Sequence, residues 1–267
     1  LPHEERRLDR WIAWLLLRSS SHVIVQSDTE YELVKKILSE TTVSIVPHPT
    51  YDILATDVFS SRTANSIEAR HSFGLESEQF VLLFFGIIRA YKGLPELLHA
   101  FARVANRFPN TTLLIAGEFW EDKEEYTSLI HELDLEHVVQ IDDRYIPNED
   151  VAFYYAAADL LVAPYRRHTG SGVIQVATAL DLPVITLNSL TQSSGIFDTT
   201  LYMQRIDYLV DRISTHIQMS RNCGSIVGFT NSQVNCLKSR ESYPDKQIIK
   251  STWTELAVRI LDTIYEP

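Results

Sequence analysis

Cysteine is almost missing from this chain. The two present, Cys223 and Cys236, stand 13 positions apart with no Cys-x-x-Cys spacing and no histidine pair nearby. That excludes a disulfide framework and a structural zinc site and leaves reduced thiols in a cytoplasmic setting as the expectation. Glycine and proline are also sparse, nine and ten of 267 residues, so collagen-like and low-complexity chains are excluded, while 45% hydrophobic residues suffice for a real core. No apolar run approaches the roughly 20 residues of a bilayer span. The strongest, Phe80 to Phe85 followed by Gly86, Ile87 and Ile88, reads as a buried strand. Trp11 to Leu17 follows Glu4, Glu5 and Asp9, precedes Arg18 and lacks a small-residue cleavage site, so it does not read as a signal peptide. Positive charge is in deficit, with 24 Lys and Arg against 35 Asp and Glu and a formal net charge of −11. No general basic field exists to displace counterions from nucleic acid, and no nucleic-acid partner is expected. Any anion must be held by a local pocket. The first residue is Leu1, which reads as a processed chain or the later part of a longer one.

What is present is periodic. Residues 4–18 read as a helix and His22 to Gln26 as a strand. Ser27-Asp28-Thr29-Glu30 has the spacing of a capping box, with the Ser27 hydroxyl on the Glu30 amide and the Glu30 carboxylate reaching back to the cap, so a helix to about Leu38 follows. Val43 to Val46 reads as a strand ended by Pro47-His48-Pro49. A polar stretch from Asp52 to Ser66 shows no sustained periodicity and places a linker over 52–75. From Phe80 on, strands at 79–86, 111–116, 137–141, 159–163 and 183–187 alternate with helices at 92–107, 123–134, 149–157 and 172–180. This alternation predicts an α/β fold, a Rossmann-like parallel sheet with helices on both faces. Leu94, Leu97, Leu98, Phe101 and Val104 fall on one helical face, and Phe153-Tyr154-Tyr155 reads as core. Beyond Asn188 the pattern loosens to a helix at 203–218, a polar segment at 220–245 and a closing amphipathic helix over 247–265.

Ligands of open parallel sheets collect at the carboxyl ends of the strands, where helix amino termini present unpaired amides. The loop after the first of these strands runs Gly86-Ile87-Ile88-Arg89-Ala90-Tyr91-Lys92-Gly93. Two cations three residues apart at the start of a helix are badly placed for its dipole unless an anion lies between them. They read either as a phosphate clamp or as a solvated pair worth roughly 0 to 1 kcal/mol. A second loop, Pro164-Tyr165-Arg166-Arg167-His168-Thr169-Gly170-Ser171-Gly172, has glycines flanking a serine just before a helix. It is a candidate diphosphate cradle, or an ordinary loop of the same composition. It is neither a Walker loop nor a dinucleotide fingerprint, and Ser171 does not sit in a nucleophile elbow. Glu118 in Gly117-Glu118-Phe119-Trp120 is either a ligand contact or part of a solvated acidic loop. Asp142 to Ile146 offers backbone groups and Tyr145 to a base. His48 and His168 read as polar contacts or as structural residues.

The segments FVLLFFGIIRAYKGLPELLHAF, TTLLIAGE, ADLLVAPYRRHTGSGVIQVATALDLPVIT and STWTELAVRIL together resemble the carboxyl-terminal, nucleotide-sugar-binding half of a family 4 GT-B glycosyltransferase, over roughly residues 76–187 and again near 252–262. The resemblance divides the chain into the tail of an acceptor-side domain (1–51), the linker (52–75) and the donor domain (76–267), and implies that most of the acceptor-side domain lies outside this chain. It assigns Arg89 and Lys92 the catalytic grip on the donor diphosphate. Ser171, Gly172 and Val173 become the helix start beneath the phosphates or sugar, Glu118 the residue after the third-strand glycine, and Tyr145 with Ile146 the base-contacting loop. Gly86, Tyr165, His168, Thr169 and Gly170 line the same loops. The family commonly carries two glutamates eight positions apart around the second loop. Here those places hold His168 and Val176, as in a subgroup with SGV, and Gln175 is the substitute for a ribose contact.

The implied activity is sugar transfer from a UDP- or GDP-sugar to a glycan or lipid-linked acceptor in polysaccharide or glycoconjugate assembly. Retention of configuration follows from the resemblance alone. No cofactor and no metal are expected, since cations and amides stabilise the leaving diphosphate. Two alternatives stay open, a non-catalytic nucleotide-sugar-binding or partner module and a sugar-nucleotide epimerase. Arg6, Arg7 and Arg10 beside Trp11, Trp14 and Leu15 to Leu17 read either as peripheral contact with the inner face of a membrane or as a helix packed on its own domain.

Overall fold

The structure, a computed structural model, describes residues 7–46, 62–166, 171–187 and 199–222. The first of these stretches holds α1 (Arg7–Ser19), β1 (His22–Val25), α2 (Asp28–Ile37) and β2 (Thr42–Ile45), with β1 and β2 parallel and His22 opposite Thr42. The α2 start follows its sequence: Ser27 Oγ accepts the Glu30 amide at 3.3 Å. The Glu30 carboxylate departs from the expected box by taking the Gln26 amide at 2.8 Å, one residue ahead of the cap.

The remaining elements are α3 (Arg62–Ser72), β3 (Phe80–Phe85), a 3-10 turn (Ala90–Lys92), α4 (Leu94–Arg107), β4 (Thr111–Ala116), α5 (Lys123–Glu132), β5 (Val139–Asp142), α6 (Asn148–Ala157), β6 (Leu160–Ala163), α7 (Gly172–Ala179), β7 (Val184–Thr186) and α8 (Thr199–Asn222). Five parallel strands lie in the order β5-β4-β3-β6-β7, so the chain winds outward from β3 to β5 and then returns to the other side of β3. The carboxyl ends of β3 and β6 therefore flank the point where winding reverses, the crevice in which such sheets bind ligands.

Period-two alternation divides β3 between two cores. Phe80, Leu82 and Phe84 pack with Leu97, Leu98, Phe101 and Val104 of α4 and Leu209, Ile213 and Ile217 of α8, whereas Val81 and Leu83 pack with Tyr154, Tyr155 and Ala157 of α6 and Ala177 of α7. Both faces of the sheet are covered, as its continuous apolar strands require. Phe153 differs from the two tyrosines after it in being 38% exposed.

The linker expected over 52–75 is corrected from residue 62 on. Residues 62–72 form α3, whose Ala69 joins the second core together with Leu75. Its anchor is the buried Arg70, which donates to the Ser77 and Gln79 carbonyls at 2.9 and 2.8 Å and to Asp159 Oδ2 at 2.7 Å. The same Asp159 oxygen accepts the Val81 amide at 2.8 Å. Polar residues hid this helix because it binds through a charge rather than an apolar stripe. The helix expected at 92–107 is broken at Gly93, and α8 extends beyond 203–218 at both ends. The 247–265 helix and the polar segment past Asn222 lie outside the described residues.

Arg70→Met should destabilise the protein by about 3 kcal/mol in a chemical melt, because it strands a carboxylate and two carbonyls, whereas a true linker residue would change it by less than about 0.5 kcal/mol.

Candidate functional site

Three glycines bring the reversal-point loops together. Gly86 ends β3 at φ +91 and donates to the Ala116 carbonyl at 2.9 Å; Gly117, at φ +139, lies so close that a Cβ on it would stand 2.4 Å from the Gly86 oxygen. Gly93, at φ +73, abuts the loop after β6, where a Cβ would meet the Pro164 oxygen at 2.2 Å. The two loops are further joined by the Arg166 amide donating to the Tyr91 carbonyl at 2.7 Å.

Between these contacts lies Lys92, only 7% exposed. A Cβ built on Gly86 would stand 3.1 Å from Lys92 Nζ and 3.2 Å from Val173 Cγ2, so the ammonium and the second residue of α7 meet over a notch left by a missing side chain. The ammonium also lies 5.4 Å from the centroid of the buried Tyr165 ring. Burial, reinforced by the nearby Arg89 charge, lowers the Lys92 pKa to about 8. Tyr165 is hydrogen-bonded to the Ser171 side chain, and burial pushes its phenol far above the usual range. Ser171 occupies the N-cap position of α7 without a side-chain cap bond. The first amides of α7 thus have no serine oxygen of their own as an acceptor.

Arg89 stands ahead of the 3-10 turn in extended conformation, its guanidinium 4.4 Å from the Trp120 ring centroid. Glu118 accepts the Trp120 indole N–H at 3.0 Å. Glu121 accepts the Ala90 amide at 2.7 Å and the Tyr126 hydroxyl at 2.6 Å. Behind the loops, fully buried Glu96 takes Arg166 in a two-pronged pair at 2.6 and 3.0 Å, with Arg205 of α8 at 3.6 Å. Two strands away, at the end of β5, Arg144 donates to Asp142 and Tyr154, and the Tyr154 hydroxyl donates to Asp142. Tyr145 beside them is 71% exposed.

The family model described as glycosyl transferases group 1 matches residues 65–198. The chain belongs to this family. It is 31% identical over 151 residues, 52% of the chain and 34% of the relative, to D-inositol 3-phosphate glycosyltransferase 1 of Catenulispora acidiphila. It is 30% identical over 112 residues, 42% of the chain and 30% of the relative, to an uncharacterized glycosyltransferase of Haemophilus influenzae. The matched part spans about a third of the length of these curated relatives. Among solved structures, Anabaena HepE in complex with UDP-glucose superposes with a TM-score of 0.69 at 17% identity, covering 98% of this chain and 68% of that one. WaaG, a glycosyltransferase involved in lipopolysaccharide biosynthesis, gives 0.65 at 18% identity, covering 91% and 62%. These likenesses show the GT-B fold expected from the sequence.

In this group 1 domain the sequence-selected residues divide into three sets. Gly86, Arg89, Lys92, Tyr165, Ser171, Gly172 and Val173 stand on the two loops and the helix start that meet at the β3–β6 reversal point. Others stand apart from that meeting point: Ile146 is 8% exposed and packs in the second core, which leaves its backbone to face a base, and Glu118 accepts an indole N–H. Val176, in the place of a family glutamate, also packs in the core, while Gln175 Oε1 is buried with no hydrogen-bond donor. His48, His168, Thr169 and Gly170 lie outside the described residues. Sequence reasoning missed Glu96, Glu121 and Trp120. Glu96 had a usable signal, a carboxylate on an otherwise apolar face between Leu94 and Leu97.

No helix among the described residues is long and apolar enough to cross a membrane. In α1, Trp11 is 59% and Leu16 63% exposed, with Trp14, 37% exposed, under the Arg18 guanidinium.

Lys92→Met should raise stability at pH 7, by as much as about 3 kcal/mol, because a charge held in a site that depresses its pKa costs stability below the folded value. The unfolded lysine keeps its proton to higher pH, so the wild-type penalty, and with it the gain from Met, should fade between about pH 8 and 10.5 in melts across that range. Gly86→Ala should close the notch, moderately lowering the melting temperature through its positive φ and abolishing any thermal shift by UDP.

Proposed function

We propose that this chain is the donor half of a glycosyltransferase that moves a sugar from a UDP- or GDP-sugar to a glycan or lipid-linked acceptor in polysaccharide or glycoconjugate assembly. The observation that carries the reading is the meeting of the buried Lys92 ammonium with the opening of α7 over the side-chain-free Gly86. A buried cation beside unpaired helix amides is an anion site before any anion arrives. The UDP-glucose complex of the similarly folded HepE supports a nucleoside-diphosphate sugar as that anion. Membership of family 4, and of the subgroup with SGV, belongs to the same proposal.

Cleavage of the anomeric C–O bond leaves the electron pair on the diphosphate. Lys92, Arg89 and the α7 amides stabilise that growing charge more than they stabilise the intact donor, which is what accelerates transfer. The site asks for no metal and no cofactor, because these cations and amides take over the neutralisation of the leaving group. Tyr145 is exposed beyond the end of β5, suited to the face of a base, and Gln175, whose buried Oε1 has no donor, is the residue proposed for a ribose contact. Retention of configuration is proposed with the family assignment. The exposed apolar side chains of α1 suit peripheral contact with a membrane holding a lipid-linked acceptor, and that idea stands only if the full-length protein is retained by anionic vesicles at low salt.

A second reading, a nucleotide-sugar-binding module without turnover, is favoured by Val176, which puts a core side chain where a family glutamate stands. Calorimetry and a transfer assay on the full-length protein separate the two. Arg89→Ala and Lys92→Ala should each lower kcat/KM by about 2 kcal/mol or more, as for loss of one charge-stabilising donor. Unchanged turnover refutes their role, and binding without any turnover selects the module. A thermal-shift panel of UDP-, GDP- and ADP-sugars should show stabilisation by one base class.

A further inference from the structure

The indole of Trp120 joins the cationic loop to the loop after β4. The Arg89 guanidinium lies 4.4 Å from its ring centroid, and its Nε1–H donates to Glu118 Oε2 at 3.0 Å. The backbone fixes the same two loops: Ile88 donates to the Glu118 carbonyl at 2.9 Å, and Trp120 donates to the Ile88 carbonyl at 3.2 Å. Ala90, next to Arg89, is tied to Glu121 at 2.7 Å. An exposed tryptophan, 54% accessible, is thus held in place by a carboxylate at its edge and a single parallel bridge between Ile88 and Phe119 beside it.

A ring 4.4 Å from a guanidinium carbon attracts the cation and narrows the directions the side chain can take, which matters for an arginine because it meets phosphate oxygens through N–H donors of fixed geometry. A carboxylate accepting from the indole N–H also raises electron density in the ring and tightens its hold on a cation above it. We propose that Trp120, oriented by Glu118, is a positioning residue that holds the Arg89 guanidinium ready for the donor diphosphate, and that Glu118 acts through the indole and not on the ligand. The inference rests on the donor reading above. Without the ring, Arg89 spends more of its time in other rotamers, and apparent affinity falls by the fraction of molecules that are binding-competent.

The test measures UDP and UDP-glucose, GDP and GDP-glucose binding by calorimetry, and donor KM and kcat where turnover is found, on the full-length protein. Trp120→Leu should weaken binding of the preferred nucleotide about three- to tenfold, raising KM more than it lowers kcat, and Trp120→Phe, which keeps a ring, should restore most of the loss. In an Arg89→Ala background Trp120→Leu should have no additional effect. In a Trp120→Phe background, which has no indole N–H, Glu118→Ala should have none either. A Trp120→Leu loss that simply adds to the Arg89→Ala loss, or that Phe does not relieve, overturns the positioning role. A further loss from Glu118→Ala in the Phe background overturns the claim that Glu118 acts through the indole. Wild-type affinity in a folded Trp120→Leu protein, checked by its thermal melt, overturns the inference and leaves the donor reading intact. If the wild-type protein binds none of these nucleotides, the donor reading fails first and the inference with it.

Discussion

A cation kept almost dry is the constraint around which this molecule is arranged. The Lys92 ammonium has given up most of its hydration, and the surrounding groups return only part of it: an aromatic ring, the mouth of a helix and another positive charge close by. In isolation such an arrangement is a fault. It becomes an asset when an anion completes it, since attraction between opposite charges grows as water is removed from around them.

That arrangement needs close tolerances, and the backbone supplies them. Gly93 against Pro164 and Gly117 against Gly86 are contacts that no side chain could occupy, and the loops they join leave adjacent strands. Behind them, the sheet reverses its winding at β3, which is why residues some 80 positions apart in sequence share one hollow. The apolar strands and amphipathic helices do the remote work of holding those loop ends at a fixed spacing.

Much of this was legible in advance. Strand β4 is legible to the residue, because a run of six apolar and β-branched side chains between turn residues has few other solutions. Lys92 and Arg89 could be singled out because two cations at a helix start oppose its dipole. The spacing at Ser27 predicts the bond of its hydroxyl but places the Glu30 carboxylate one amide away from the Gln26 N–H it takes, since local spacing does not fix which of two neighbouring N–H groups a flexible side chain reaches. Helix α3 is hidden in the sequence because Arg70 finds Asp159, a partner 89 residues away, and no window of local sequence contains both. For Glu118 the sequence leaves a ligand contact and a solvated acidic loop both open, because position says where a side chain begins and not what it meets at the far end, here the Trp120 indole.

Glu96 carries a last implication. It has no access to water and is shared by Arg166, at the edge of the cradle loop, and Arg205, on α8. Pulling either arginine away would leave unbalanced charge in the interior, so Arg166 and α8 are obliged to travel as a single piece. Any hinge motion of this domain must bend outside that triad, so that the start of the loop after β6 and the long carboxyl-terminal helix keep a fixed spacing.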